Sequence, residues 1–248
     1  MLNTSIQKSF IIFSTIFLTM PLCVSKAFAD KVVLEDFSSY QVGKVGGDNW
    51  KSREDNPDNV YSIQMEKNDK YLQAHSKKDS SQLFRKRGWD IDQNPVLSWK
   101  WRANEFPKDA EENVGLNDSV AGVYVVFPNR WFQPETIKYI WSEKLPVGKE
   151  IKRNKRYPLL VIRSGSADKG KWVTEERNVM EDYKMLFGRS ASSPIAFGFL
   201  TDSNDTKSES RADYDDFVVL KEKTIKPLAI GLNLNLKLDL NLANPFLQ

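Results

Sequence analysis

The chain has 248 residues, with 36 Lys and Arg against 33 Asp and Glu and a formal charge of +3. So near a balance gives no electrostatic reason to expect nucleic acid or an acidic membrane surface as the main partner. A single Cys and a single His exclude a multi-histidine zinc centre, thiolate metal sites and a disulfide framework.

Residues 1–29 read as a signal peptide. Lys8 supplies a positive start, Phe10 to Val24 is mostly apolar, and Ala27-Phe28-Ala29 supplies the small residues of a cleavage site. The apolar run is too short and too rich in Ser, Thr and Pro for a bilayer span, and Leu22 before Cys23 argues against a lipid-modified cysteine. The expectation is an exported protein, periplasmic or extracellular, with no integral membrane span after cleavage. Removing Lys8 and Lys26 leaves 34 basic residues against 33 acidic.

From residue 30 onward, short β-branched and aromatic runs alternate with Gly, Asn, Asp and Pro clusters, the pattern of sandwich strands. Strands are predicted at Lys31–Phe37, Val60–Met65, Tyr71–Ser76, Gln82–Arg87, Val96–Arg102, Val120–Phe127, Ile137–Ser142, Leu159–Ser164, Trp172–Val179, Ile195–Thr201 and Tyr214–Lys221. Val120–Phe127 is apolar on both faces, as a central strand must be. Leu97, Trp99 and Trp101 alternate with Ser98, Lys100 and Arg102, so one face of that strand is core. Val179, Met180, Tyr183, Leu186 and Phe187 recur at helical spacing between an Asn178 cap and Gly188. The fold class is therefore all-β: a jelly-roll-like antiparallel sandwich over residues 30–222 with one short helix. Residues 223–248 form a separate extension, where leucine holds every second position from Leu232 to Leu242. Such alternation suits an edge strand, and self-association through it is an expected partner mode.

In combination and order, several segments resemble a family of exported bacterial proteins known as domain of unknown function 3047. They include Leu34-Glu35-Asp36-Phe37, Leu97-Ser98-Trp99-Lys100-Trp101-Arg102, Tyr139-Ile140-Trp141-Ser142 with Lys144-Leu145-Pro146-Val147-Gly148, Glu175-Glu176-Arg177-Asn178-Val179, and Thr201-Asp202 through Asp205-Thr206. The resemblance implies an exported β-sandwich and supplies no catalytic residues. A looser likeness is to jelly-roll carbohydrate-binding modules, in which an early acidic-Phe strand and a late aromatic-Asp-Asp strand are often tied by calcium. Glu35 and Asp215 would fill that structural calcium site here.

The expected function is non-catalytic binding of a cell-envelope or extracellular carbohydrate. Its candidate ligand-binding residues are Trp131 in a loop between Pro128 and Pro134, with Trp141, Arg163 and Arg177 as inner groups and Asp202, Asn204 and Asp205 on an acidic loop. Arg163 and Arg177 read equally well as structural ion pairs with Glu175, Glu176 or Asp182. The alternatives are a polysaccharide-active enzyme with paired carboxylates such as Glu143, Glu176 or Asp182, and a structural protein of the envelope. The basic run Lys149, Lys152, Arg153, Lys155 and Arg156 reads as a solvated loop, with an anionic polysaccharide as its other reading.

Overall fold

A computed structural model of the chain describes residues 31–45, 49–52, 57–129, 133–152 and 154–222. The expected leader, Trp131 and the leucine-alternating extension lie outside these residues. Among the described residues the chain forms fourteen strands and one α-helix, in the order β1 (Lys31–Glu35), β2 (Gly43–Lys44), β3 (Trp50–Ser52), β4 (Tyr61–Glu66), β5 (Asp69–Lys77), β6 (Leu83–Arg85), β7 (Val96–Glu105), β8 (Ala121–Phe127), β9 (Glu135–Ser142), β10 (Glu150–Lys152), β11 (Pro158–Ser164), β12 (Val173–Asn178), α1 (Val179–Phe187), β13 (Ala196–Leu200) and β14 (Glu209–Leu220).

The strands make two packed sheets. The first runs β12-β7-β14-β5-β4-β2, with β1 also on β14, and the second runs β10-β11-β9-β8-β13-β6-β3. All pairs are antiparallel except β9 with β11. The fold is the all-β, jelly-roll-like sandwich that the alternating runs imply. Strands β2, β3 and β10 were not legible in the sequence, because two or three residues carry no measurable period. Strand β10 lies inside the basic run expected to be loop, and it is fixed by pairing with β11.

Alternation decides what each sheet sends inward. From the first sheet come Trp99 and Trp101 of β7 and Tyr214 and Phe217 of β14; from the second come Tyr139 and Trp141 of β9 and Phe197 and Phe199 of β13. All are fully buried. The rings meet across the sheet interface: Trp99 on Tyr139 at 5.7 Å, Phe197 on Phe217 at 5.6 Å and Phe199 on Tyr214 at 4.9 Å. Offset and edge-on ring pairs of this kind add about 0.5–1.5 kcal/mol each beyond their buried area.

Helix α1 begins where the Asn178 side chain accepts the Glu181 N–H at 3.1 Å and ends at Gly188, whose φ of 73° lies in the left-handed region that favours glycine. Tyr183 packs on Phe127 and its hydroxyl bonds the buried Glu135 carboxyl. Asp182 accepts from Arg177 and from the Tyr139 hydroxyl. The helix therefore closes one end of the sandwich through two buried carboxyl groups.

Candidate functional site

The outward face of the second sheet is hollow, and two glycines explain why. On adjacent strands Lys138 of β9, Tyr124 of β8, Gly198 of β13 and Phe84 of β6 stand directly opposite one another. Gly198 has no side chain to fill its place in this row. A Cβ there would fall 2.6 Å from the Phe84 ring and 2.5 Å from the Leu83 carbonyl oxygen. The Phe84 ring accordingly lies down over Gly198 towards Tyr124, with the two ring centres 5.3 Å apart and 37° between their planes.

In the next row Gly122 plays the same part for Lys138. A Cβ on Gly122 would sit 2.8 Å from Lys138 Cε, so the lysine stem uses the space the glycine leaves. From the core side the Tyr214 hydroxyl accepts the Gly122 N–H at 3.2 Å and donates to the Leu200 carbonyl at 3.0 Å, pinning the floor.

The resulting cavity has a volume of about 740 Å³, within the range of small-molecule sites. Phe84, Tyr124 and Tyr157 are its aromatic residues among those described, while Thr136, Lys138, Asn117 and Asp202 are among its polar groups. Lys138 and Asp202 are both buried, and the Lys138 ammonium lies 3.9 Å from the Asp202 carboxylate and 5.7 Å from the Tyr124 ring centre. Burial lifts the Asp202 carboxyl to about 6, with Asp118 and Asp205 adding repulsion. Lys138 and the Ser119 N–H, which bonds Asp202 Oδ1 at 2.6 Å, oppose the rise.

The acidic loop of residues 202–206 is held by a second carboxyl. Asp118, fully buried, accepts the N–H groups of Asp205 and Thr206 and the Thr206 hydroxyl. Asp205 in turn accepts from Asn117 at 2.6 Å and from Asn204 at 3.0 Å. Of the candidate ligand-binding residues, Asp202, Asn204 and Asp205 line this cavity. Trp131 lies outside the described residues, while Gln133 and Pro134 of the same loop reach the cavity wall.

Trp141, Arg163 and Arg177 are not brought to the cavity. Trp141 is core, its indole N–H donating to the Gly165 carbonyl at 2.9 Å. Arg163 pairs with Glu175 at 2.5 Å and Asp168 at 3.0 Å, and Arg177 pairs with Asp182. Both are structural ion pairs, with the Glu175 and Asp182 partners that the sequence suggested. Asp182 is thereby occupied, and neither it nor Glu143 nor Glu176 lines the cavity.

Glu35 and Asp215, the expected calcium pair, occupy different settings. The Glu35 carboxyl accepts from the Asp36 and Phe37 backbone N–H groups and the Tyr40 hydroxyl, and it pairs with Arg85 of the second sheet. Asp215 faces outward from the first sheet into another recess. Among the described residues no group of three or more His, Cys, Asp or Glu side chains is placed to hold a metal ion.

Sequence reasoning missed Phe84, Tyr124, Thr136, Lys138 and the anchor Asp118. The available signals were a lysine inside the otherwise apolar run Ile137–Trp141 and a glycine inside each of two strands, Gly122 and Gly198, both marks of a close approach on the open face.

Comparison with curated proteins returns no match. Among solved structures, the chain is similar to TmCBM61 in complex with β-1,4-galactotriose, at 9% identity and a TM-score of 0.36, covering 76% of this chain and 95% of that one. It is also similar to TmCBM27, described as a mannan-recognising carbohydrate-binding module, at 12% identity and a TM-score of 0.34 over 78% and 99%. A third similarity is to the K1 cleaved adhesin domain of Lys-gingipain from Porphyromonas gingivalis W83, at 11% identity and a TM-score of 0.34 over 77% and 97%. The family described as protein of unknown function (DUF3047) matches residues 48–218, most of the chain, and the protein belongs to that family.

Proposed function

We propose that the cavity on the second sheet binds a cell-envelope or extracellular carbohydrate without cleaving it, in an exported protein. The observation that carries the reading is the Phe84–Tyr124 surface, laid flat by Gly198 beside the Lys138–Asp202 pair. A sugar ring presents an apolar C–H face and a rim of hydroxyls. Aromatic rings match the first, and a buried cation, carboxyl and amides match the second.

Glycan-array screening and calorimetry on the full chain, with and without calcium, test this. The expected result is a saccharide ligand whose affinity is lost in Tyr124→Ala and Lys138→Met. Absence of binding to any envelope or plant polysaccharide, or binding undiminished in Tyr124→Ala, would overturn it.

One observation favours hydrolysis as the second reading: Asp202, with its carboxyl lifted to about 6, lies in the cavity, where a general acid would need to be. Release of new reducing ends from a bound polysaccharide, abolished in Asp202→Asn, would replace binding by catalysis.

A further inference from the structure

The outward face of the first sheet holds a second recess of about 340 Å³, lined by Glu66, Lys67, Asp69, Tyr71, Lys100, Trp172 and Asp215. It lies across the sandwich from the Phe84–Tyr124 cavity and does not depend on it. Tyr71 and Trp172 meet edge to face at 5.5 Å and give the recess an apolar wall.

Asp215 is the unusual member. It is 4% exposed, and its Oδ1 has no hydrogen-bond partner among the described residues. Its neighbours are committed elsewhere. Lys100, directly opposite on β7, gives its ammonium to Asp216 at 2.5 Å. Arg102 donates to Asp213 at 2.7 Å and to Glu66 at 2.9 Å while lying over the Tyr71 and Trp172 rings. Lys100 still attracts Asp215 and Asp69 and Lys67 is exposed at the β4–β5 turn, so the three carboxyl groups of Asp69, Asp215 and Asp216 face two ammonium groups. A buried carboxylate with an unbonded oxygen and surplus negative charge around it calls for a cation carrying donors.

The form of that cation follows from the shape. The carboxyl lies deep and offers one unbonded oxygen, which does not suit the flat, two-pronged guanidinium. A bare metal ion lacks converging ligands here. An alkylammonium fits: a slim apolar stem suits the part of the Tyr71–Trp172 wall beside Arg102, which already lies over both rings, and a compact charged tip suits the carboxyl. We propose that this recess binds a lysine-type primary alkylammonium group, with Asp215 as its counter-ion and Tyr71 and Trp172 as the seat for its stem.

The test is an NMR titration of the full chain at a mildly alkaline pH with Nα-acetyl-lysine amide, its Nε-acetylated form serving as control. The expected result is a saturable shift of the Trp172 indole N–H with the free amine alone, with affinity weakened about tenfold or more in Asp215→Asn, a substitution of equal shape. Tyr124→Ala should leave the titration unchanged, which separates this site from the carbohydrate cavity. No saturable shift, equal binding of the acetylated control, or unchanged affinity in Asp215→Asn would overturn the assignment.

Discussion

Asp202 and Asp215 are carboxyl groups that burial holds partly protonated, at about 6 and about 7. The sign of their effect on stability follows from proton counting. Near pH 5 the folded chain retains protons on these groups that the unfolded chain has already lost. Stability therefore falls as pH rises from about 4 towards about 7 and is flat above, as far as these two groups are concerned. For Asp215 a shift of this size corresponds to a few kcal/mol, on the order of 1.4 per unit. Asp215→Asn should remove most of that slope and leave the protein more stable than the parent above pH 7, as read by urea unfolding across pH. A parent-like slope in the variant would count against a protonated Asp215. Lys138 opposes the rise of the Asp202 carboxyl, so Lys138→Met should move the Asp202 titration upward. Carbon-detected NMR of the carboxyl reads this directly.

Gly198 and helix α1 show how single elements shape the site and the fold. Gly198→Ala puts a Cβ 2.5 Å from the backbone oxygen of Leu83 and 2.6 Å from the Phe84 ring. Strands β6 and β13 must separate slightly, and Phe84 must lift from the sheet. The expected cost is about 1–3 kcal/mol, together with loss of carbohydrate affinity and weakened ring contact between Phe84 and Tyr124 in NMR spectra. Thermal unfolding and calorimetry measure the two effects separately. At the helix, Arg177→Ala leaves Asp182 buried beside Tyr139 without its cation, which should cost about 3–5 kcal/mol. Asn178→Ala removes one cap bond and should cost about 1 kcal/mol. If the two substitutions destabilise equally, the Arg177–Asp182 pair is not the main fastening of that end.

One continuous core cluster draws on both sheets, from Leu34 through Trp99, Tyr139 and Phe199 to Val219. With the main core shared in this way, the first sheet's departure would leave the second only the small cluster of Ile140, Leu159 and Val161. Tryptophan fluorescence and far-ultraviolet circular dichroism should report a single coincident unfolding transition. Two separated transitions would mean that the sheets unfold independently. The two outer faces are then free to carry separate sites: the glycine-hollowed cavity on one and the Asp215 recess on the other.

The strand series, the helix with both of its caps and the burial of Trp99 and Trp101 were legible because each depends on a local period or a local turn residue. Even so, β2, β3 and β10 escaped, being too short to show a period. The site was legible only in part. Asp202, Asn204 and Asp205 stood out as a run of oxygen-bearing residues, whereas Phe84, Tyr124, Lys138 and Gly198 lie far apart in the chain and became one row only through strand register. Trp141, Arg163 and Arg177 looked like site residues because a sequence shows a residue's type and not which side of the sheet its partners occupy. By itself, then, the sequence determined the fold class, since alternation and capping are local properties of the chain. Which outward positions stand opposite one another, and which buried carboxyl is left with an unbonded oxygen, was decided only by tertiary structure, because both depend on pairing between distant segments.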